Sequence, residues 1–396
     1  MDETTVATFK AEVREELDQL LYWWVNNTQD REFGGFYGKI DQENKVYHSA
    51  PKGLVLHARI LYTFSSAYQT YKNLEHLVMA ERAYDFLLHH FYDPVNGGFY
   101  WSVDEKGAAL DRKKQVYGQA FVIYGLTAYY KAVGDDEALQ LAIGTYQLLE
   151  KHSFDKDYFG YIEALSSDWG ELADLRLSEK DLNEKKSMNT HLHVIEAYAL
   201  LYTVWHNGGL KTAIHNLLNN FEQHIIDPAT HHLHLFFTAD WETRSSDLSF
   251  GHDIEAAWLL QEAAEVVRHD VQKFRINAVH MAEAAGRGIA PHGGLAYEFN
   301  LAQGHLVEEY HWWPQAEALV GFLNAYQQTG NQKFFDLVLN CWSFIKQYLK
   351  DHKHGEWFWG VQGKVLAPMP NEDKVGFWKC PYHNGRALLE VLKRVG

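Results

Sequence analysis

A short motif of glycine and aromatic residues recurs at a nearly constant interval along the chain. Gly34-Gly35-Phe36-Tyr37 returns 63 residues later as Gly97-Gly98-Phe99-Tyr100. Looser copies follow at Phe159–Tyr161, His231–Phe237, Gly293–Tyr297 and Gly355–Trp359. Self-similarity at a fixed period is the signature of a repeat architecture. Aromatic stretches flanked by Gly, Asn and Asp indicate turns or small hairpins. The sequence therefore predicts six similar units, each marked by one hairpin.

Between the motifs the apolar residues follow a helical period. One stripe with spacings of three or four residues consists of Val6, Phe9, Val13, Leu17, Leu20 and Trp24. Each unit is predicted to hold two helices, of which the first is amphipathic, for example over 75–91, 135–151 and 331–349. The second is apolar on nearly all faces, over 54–71, 117–132, 190–205, 252–267, 314–328 and 383–395. A helix that is apolar all round is buried.

Six amphipathic helices alternating with six buried ones predict an all-α (α/α)6 barrel. The outer ring surrounds the inner ring, and residues 1–396 are expected to form a single catalytic domain. If the helices alternate in direction, all six inner helices begin on one face, and the short hairpins line that same mouth. An open helical solenoid is the alternative arrangement of such repeats.

Charge and cysteine content restrict the possible partners. Lys and Arg total 36 against 52 acidic residues, a formal charge of −16, which disfavours nucleic acid. Only Cys341 and Cys380 are present, so a disulfide framework is excluded and a reducing compartment is favoured. The start of the chain shows no secretory signal, and no apolar run approaches the length of a membrane span. We expect a soluble, cytoplasmic protein that is a monomer or a weak homodimer.

The aromatic content of 15% is high. Sugar rings stack through their C–H faces on aromatic side chains, so a carbohydrate partner is one interpretation. A core rich in aromatic residues is the other. Trp312, Trp313 and Trp378, next to the starts of inner helices, are candidate stacking walls or packing residues.

Three histidines near the starts of inner helices precede an ionic residue by three positions. These pairs are His193 with Glu196, His252 with Glu255, and His383 with Arg386. Residues i and i+3 share a helix face, so we expect all three pairs at equivalent positions, pointing into the mouth. Imidazole and charged groups on buried helices are costly unless they are paired or used. Because the pKa of histidine lies near neutrality, the pattern favours acid/base catalysis on a carbon atom.

Other residues of the same region have candidate roles or alternatives. Arg59 stays charged and can hold a sugar oxygen or a developing enediolate. Zinc is the rival interpretation of the histidines, although HExxH and a cysteine cluster are missing.

Two further segments have no role in this pattern. The run His231–His234 is interpreted as a decorated hairpin, that is, a surface hairpin whose histidines have no catalytic role. The long polar connection between Tyr161 and Lys186, which contains Asp168, Trp169, Asp174 and Asp181, is either a lid or a solvated insertion.

The chain resembles the N-acylglucosamine 2-epimerase superfamily, and within it the cellobiose 2-epimerases. The resemblance extends along essentially the whole chain and rests on six motifs: His57–Arg59, Gln115–Phe121, Asn189–His193, Gly251–Glu255, Trp312–Glu317 and Trp378–His383. It implies an (α/α)6 barrel and a cofactor-free, metal-independent isomerase of carbohydrate metabolism. The implied reaction inverts C2 of the reducing sugar of β-1,4-linked disaccharides, through ring opening and a cis-enediolate.

The resemblance also implies roles for individual residues. His252 and His383 correspond to the acid/base pair at C2, and His193 to a group that assists ring opening or holds O1. The substrate-binding residues implied are Arg59, Tyr117, Asn189, Glu255, Trp313 and Trp378. The superfamily also contains aldose–ketose isomerases acting on mannose, which share the histidines, and N-acylglucosamine epimerases, which need room for an acetamido group. A non-catalytic sugar-binding barrel is the alternative from another class.

Overall fold

The computed structural model describes residues 3–395. Twelve α-helices lie within this range. The helices are α1 (Glu3–Asn27), α2 (Leu54–Tyr71), α3 (Leu74–Phe86), α4 (Val116–Val133), α5 (Asp136–His152), α6 (Met188–Tyr202), α7 (Gly208–Asn220), α8 (Phe250–Val267), α9 (Val271–Ala285), α10 (Trp312–Thr329), α11 (Gln332–Phe344) and α12 (Tyr382–Arg394). The apolar periodicity thus located every predicted helix.

The even-numbered helices form a closed inner ring. Each packs on the next even-numbered helix, and α12 packs back on α2. The odd-numbered helices cover this ring from outside, α1 against α12 and each of the others against the even-numbered helix before it. The (α/α)6 barrel is confirmed, and the contact between α12 and α2 excludes the open solenoid.

The predicted range 54–71 coincides with α2, and the ends of the other helices differ from the predictions by at most five residues. Three outer helices end in a π-helical turn, at Leu87–Phe91, Phe221–Ile225 and Ile345–Leu349, before the chain enters the hairpin. The predicted helices 75–91 and 331–349 include these turns. A π turn changes the backbone pitch but not the apolar pattern, so periodicity alone could not separate it from the helix.

Short antiparallel strands form a second ring at the mouth. They are β1 (Ile40–Asp41), β2 (Lys52–Gly53), β3 (Ser102–Val103), β4 (Ala109–Asp111), β5 (Lys114–Gln115), β6 (Ala164–Leu165), β7 (Lys186–Ser187), β8 (Phe236–Phe237), β9 (Asp247–Ser249), β10 (Glu298–Asn300), β11 (His305–Val307), β12 (Glu309–His311), β13 (Gly360–Gln362), β14 (Ala367–Pro368) and β15 (Asp373–Val375). The strand that leads into each inner helix pairs with a strand of the next unit, and β15 pairs with β1 to close the ring.

One polar residue in the first turns of each inner helix holds the hairpin of its own unit. We call this set the anchor ring: His57, Gln119, His191, Asp253, Gln315 and Asn384. In the first five units the anchor side chain accepts the backbone N–H of Phe36, Phe99, Tyr161, Leu233 or Leu295 at 2.7–3.2 Å. In the sixth, Asn384 donates to Glu356, whose carboxylate accepts the N–H of Trp357. Each anchor satisfies a buried backbone donor that would otherwise be costly.

Candidate active site

A cavity of about 490 Å³ opens at the mouth, where the inner helices begin. Its walls include all nine residues that the sequence predicted for the site: Arg59, Tyr117, Asn189, His193, His252, Glu255, Trp313, Trp378 and His383. Six separate segments supply these residues, so the ring closure brings them together.

Two positions after each anchor, a second set of residues lies one layer deeper. We call it the site ring: Arg59, Phe121, His193, Glu255, Glu317 and Arg386. The anchor register corrects one expectation. His191, not His193, holds the position equivalent to Asp253 and Asn384, so His193 lies three residues further along its helix than His252 and His383 do along theirs. The sequence places two histidines near the start of α6, and only the hairpin bond to His191 fixes the register.

Arg386 connects three buried carboxylates. One guanidinium nitrogen donates to Glu255 at 2.8 Å and to Glu317 at 2.7 Å, and the other donates to Glu196. All four side chains are at least 95% buried. Buried carboxylates need such a cationic partner, because an unpaired one would pay the full penalty of desolvation. The expected His383–Arg386 pair is therefore wrong, since Arg386 is turned toward carboxylates of three other helices.

His193 is paired with Glu196 as the sequence predicted. Nδ1 of His193 lies 2.8 Å from Oε2 of Glu196, which also accepts the hydroxyl of Tyr382. Burial opposes ionisation of Glu196, but the charge of Arg386 prevails and lowers its pKa to about 2. Burial lowers the pKa of His193, and the bond to Glu196 opposes this. The result is a neutral imidazole whose Nδ1 is occupied and whose Nε2 is the nitrogen available to a ligand.

His383 has the same arrangement, but its partner comes from a neighbouring helix. Its Nδ1 donates to Oε1 of Glu317 at 2.7 Å, and Glu255 lies further away, at 3.9 Å. Oε2 of Glu317 accepts the indole N–H of Trp258. Burial lowers the pKa of His383 well below its usual value, and the charges of Arg59 and Arg386 add to the effect. A carboxylate at Nδ1 fixes the tautomer and leaves Nε2 as a base.

His252 is not bonded to Glu255, contrary to the expected pair. Its Nδ1 lies 2.7 Å from the hydroxyl of Ser249, the residue that precedes α8. Desolvation in the cavity wall lowers the pKa of His252 to about 3. Burial raises the pKa of Glu255 well above its usual range, and the neighbouring Glu317 adds to the effect.

Arg59 lies on the opposite part of the site ring from the carboxylate cluster. Its guanidinium donates to the hydroxyl of Tyr117 at 2.6 Å and to the carbonyl of Trp378 at 3.3 Å. The guanidinium carbon also lies 4.1 Å from the ring centre of Phe121. Aromatic faces and a hydroxyl therefore surround this charge, and among residues 3–395 no carboxylate forms an ion pair with it.

Two half-buried tryptophans form aromatic walls of the cavity. The ring of Trp313 lies 4.6 Å from that of His252 and 5.7 Å from that of His383, and Trp378 lies 5.9 Å from Tyr117. Trp312 also lines the cavity but is buried against Trp359. Asn189 also lines the cavity, and its Oδ1 is buried and has no hydrogen-bond partner within residues 3–395.

The long connection after β6 forms one side of the mouth. Residues 175–182 line the cavity, and Asn183 holds the loop by accepting the backbone N–H of Leu175. Of the four residues noted in the sequence, Asp181 lies in the lining. Trp169 is instead fixed outside the cavity, donating to the carbonyl of Asn96.

Several residues of the site were missed from the sequence. Glu317, Ser249 and Tyr382 each bond a predicted histidine or its carboxylate partner. Glu163 lines the cavity and accepts from Ser187 and Thr190, and burial raises its pKa to about 8. Glu317 had a detectable signal, because it occupies the position of Glu255 and Arg386 in its own repeat. Glu163 stands two residues after Tyr161, at the hairpin position that Leu235, Tyr297 and Trp359 hold in other units, and a single carboxylate among such residues gives no sequence signal of a role in the site.

The zinc hypothesis can be tested against the donor groups. Among the described residues, Glu255, Glu317 and His383 bring ligand atoms within 4.8 Å of one another. Oε1 of each glutamate already accepts from Arg386, at 2.8 and 2.7 Å. A divalent cation at these oxygens would lie beside a buried guanidinium. The donor set therefore does not fit a metal ion while Arg386 occupies it.

Comparisons with known proteins agree with this geometry. The family model of N-acylglucosamine 2-epimerase matches residues 35–377. The chain belongs to the N-acylglucosamine 2-epimerase family. It is therefore a carbohydrate epimerase, an enzyme of the isomerase class.

Individual relatives narrow the comparison. The chain is 46% identical to the cellobiose 2-epimerase of Bacteroides fragilis, covering 97% of this chain and 98% of that one. The solved structure of the cellobiose 2-epimerase from Spirochaeta thermophila superimposes with a TM-score of 0.93 at 40% identity, covering 99% of this chain and 98% of that one. The D-mannose isomerase of Marinomonas mediterranea is 25% identical over 91% of each chain. In residues 3–395, the helices lack the combination of length and apolar character that a bilayer crossing needs.

Proposed function

We propose that the protein inverts C2 of the reducing sugar of β-1,4-linked disaccharides, converting cellobiose to glucosyl-mannose and lactose to epilactose. The whole chain would act as one catalytic domain that needs no cofactor. The relatives named for cellobiose 2-epimerase activity support a disaccharide over a monosaccharide.

The observation that carries this proposal is the pair His252 and His383 in one cavity wall. Each imidazole is neutral and has Nδ1 occupied, so each has Nε2 available for the C2 proton. In the open-chain sugar, one imidazole removes the C2 proton as the C2–H bond breaks and the enediolate forms. After rotation about C2–C3, the other imidazole, protonated from solvent, donates to the opposite face.

The different partners of the two histidines suit such an exchange. His383 donates to a carboxylate, which favours the lone pair at Nε2 and stabilises the imidazolium that forms. His252 faces the hydroxyl of Ser249, and a hydroxyl can donate or accept. His252 can therefore present either a lone pair or an N–H to the substrate.

The remaining residues would bind and open the sugar. Arg59, held by Tyr117, would stabilise the negative oxygens of the enediolate. His193, with Glu196 behind it, would assist ring opening or hold O1. Asn189 and Glu255 would hydrogen-bond the sugar hydroxyls, and Trp313 and Trp378 would stack on the rings.

The second candidate is an aldose–ketose isomerase acting on mannose. The similarity to the D-mannose isomerase of Marinomonas mediterranea favours it. The same enediolate serves both reactions, because the isomerase returns the proton to C1 instead of C2.

NMR of the EDTA-treated protein with cellobiose, lactose or mannose in D2O tests the proposal. We expect glucosyl-mannose or epilactose with deuterium at C2. Ketose from mannose, with both disaccharides unchanged, would establish the isomerase instead. Exchange that appears only after zinc is added would show that the histidines are metal ligands.

Substitution of the two histidines tests the mechanism. His252→Asn and His383→Asn should each lower kcat by about 10²–10⁴-fold, the usual contribution of a general acid or base. Near wild-type turnover of both variants on every reducing sugar tried would overturn the assignment.

A further inference from the structure

The anchor of the fourth unit differs chemically from the other anchors. Gln119 and Gln315 are neutral, and burial lowers the pKa values of His57 and His191 to about 3, so these are neutral as well. The fourth anchor is Asp253, a carboxylate with no exposed surface. It follows His252 directly in the first turn of α8.

The hairpin that Asp253 holds supplies a partner for this carboxylate. Oδ1 of Asp253 accepts the backbone N–H of Leu233 at 2.9 Å, as other anchors do. Its Oδ2 lies 2.6 Å from Nδ1 of His232, which is 4% exposed. Both carboxylate oxygens are thus bonded by adjacent residues of one hairpin. The histidine run 231–234 therefore contains one buried, paired residue and is more than a decorated hairpin.

Other units secure their hairpins with a buried lysine. Lys52, Lys114 and Lys186 stand just before α2, α4 and α6 and pair with Asp30, Asp93 and Asp155 at 2.7–2.9 Å. The corresponding position before α8 is Leu248, in β9. In this unit the hydrogen bond between His232 and Asp253 provides the buried polar contact between the hairpin and its inner helix.

We propose that His232 and Asp253 are positioning residues for His252. This proposal rests on the proposed function, in which His252 transfers a proton at C2. The pair fixes the first turn of α8 against the hairpin, and Ser249 orients the imidazole from the same turn. Losing the pair would free the backbone beside His252, and a displacement of about 1 Å can lower a rate by about 10²-fold.

The test compares Asp253→Ala and His232→Leu with Gln119→Ala. Gln119 is the anchor of α4, a helix without a candidate acid or base, and its removal also leaves a buried backbone N–H unpaired. The measurement is the partition of deuterium between recovered substrate and epimerised product, at low conversion in D2O. This ratio reports how the enediolate is divided between its two protonating groups. It does not depend on the fraction of folded enzyme, so a poorly folding variant still gives an answer.

We expect the ratio to shift about tenfold in Asp253→Ala and His232→Leu, with kcat lowered about tenfold to hundredfold, and to stay unchanged in Gln119→Ala. Asp253→Asn should recover most of the wild-type ratio, because an amide can accept from Leu233 and donate to His232. An unchanged ratio in both variants of the pair would overturn the positioning role while the epimerase stands. Wild-type protein that incorporates no deuterium at C2 would overturn the proposed function itself.

Discussion

The anchor ring and the site ring lie two residues apart on the same six helices, yet they are built in opposite ways. Each anchor bonds the hairpin of its own unit, and in five of the six units its side chain accepts the same backbone N–H. Most bonds of the site ring run between different units, such as Arg386 to Glu255 and Glu317, while His193 bonds Glu196 on its own helix. The repeated anchor bond fixes each inner helix at the same position relative to its hairpin. The residue two positions later can therefore differ in type from unit to unit, and this difference makes the site asymmetric.

The largest expected effect is a loss of stability when Arg386, the cation that joins the site-ring carboxylates, is removed. Arg386→Met leaves three buried carboxylates without their partner, so the free energy of unfolding at pH 7 should fall by about 3–5 kcal/mol. Urea denaturation measures it. The loss should shrink as the pH falls, because protonation neutralises the unpaired carboxylates.

The control is Arg394→Met at the other end of α12, where the partner Glu262 is 42% exposed. Partly exposed ion pairs contribute about 1 kcal/mol or less. Equal losses of unfolding free energy in the two variants would mean that Arg386 stabilises the protein no more than a partly exposed ion pair does.

Two histidines of α6, one from each ring, allow the roles of the anchor ring and the site ring to be compared on one helix. His193→Gln should lower kcat by about 10²-fold, because it removes the imidazole facing the cavity. His191→Gln should keep most of the activity, since Gln119 and Gln315 make the corresponding bonds with a glutamine. Steady-state kinetics on cellobiose measures both. Comparable losses of kcat would show that the rings are not functionally distinct.

The smallest expected effect concerns acid stability. His57 donates through Nδ1 to Gly53 and accepts through Nε2 from Phe36, which only a neutral imidazole can do. Its folded pKa is about 3 against 6.5 for the free side chain, so its contribution is complete above pH 6.5 and declines as the pH falls toward 3.

His57→Gln removes this titration and should make the loss of stability between pH 7 and pH 5 smaller by about 2 kcal/mol. Urea unfolding at the two pH values measures the difference, with the exposed His89→Gln as the control. A pH dependence identical to that of the wild type would show that His57 is not held neutral.

The sequence by itself determined the six-fold architecture and the location of the site. Apolar periodicity and the recurring hairpins specify helices and their order, because both depend on neighbours a few residues apart. Burial of the inner helices then required the ring, and the ring placed all nine expected residues around one cavity. The pair His193–Glu196 was predictable for the same reason, since both lie on one helix face.

The tertiary structure alone decided the partners within the site. The expected pairs His252–Glu255 and His383–Arg386 also satisfy the i, i+3 spacing, yet each of these residues bonds elsewhere. A side chain at the barrel axis is as close to neighbouring helices as to its own next turn, and the stronger partner prevails. Arg386 binds three carboxylates on α6, α8 and α10 and shares one of them, Glu317, with His383, while His252 bonds Ser249. Those choices depend on how the six helices are rotated about the barrel axis, and local spacing carries no information about that rotation.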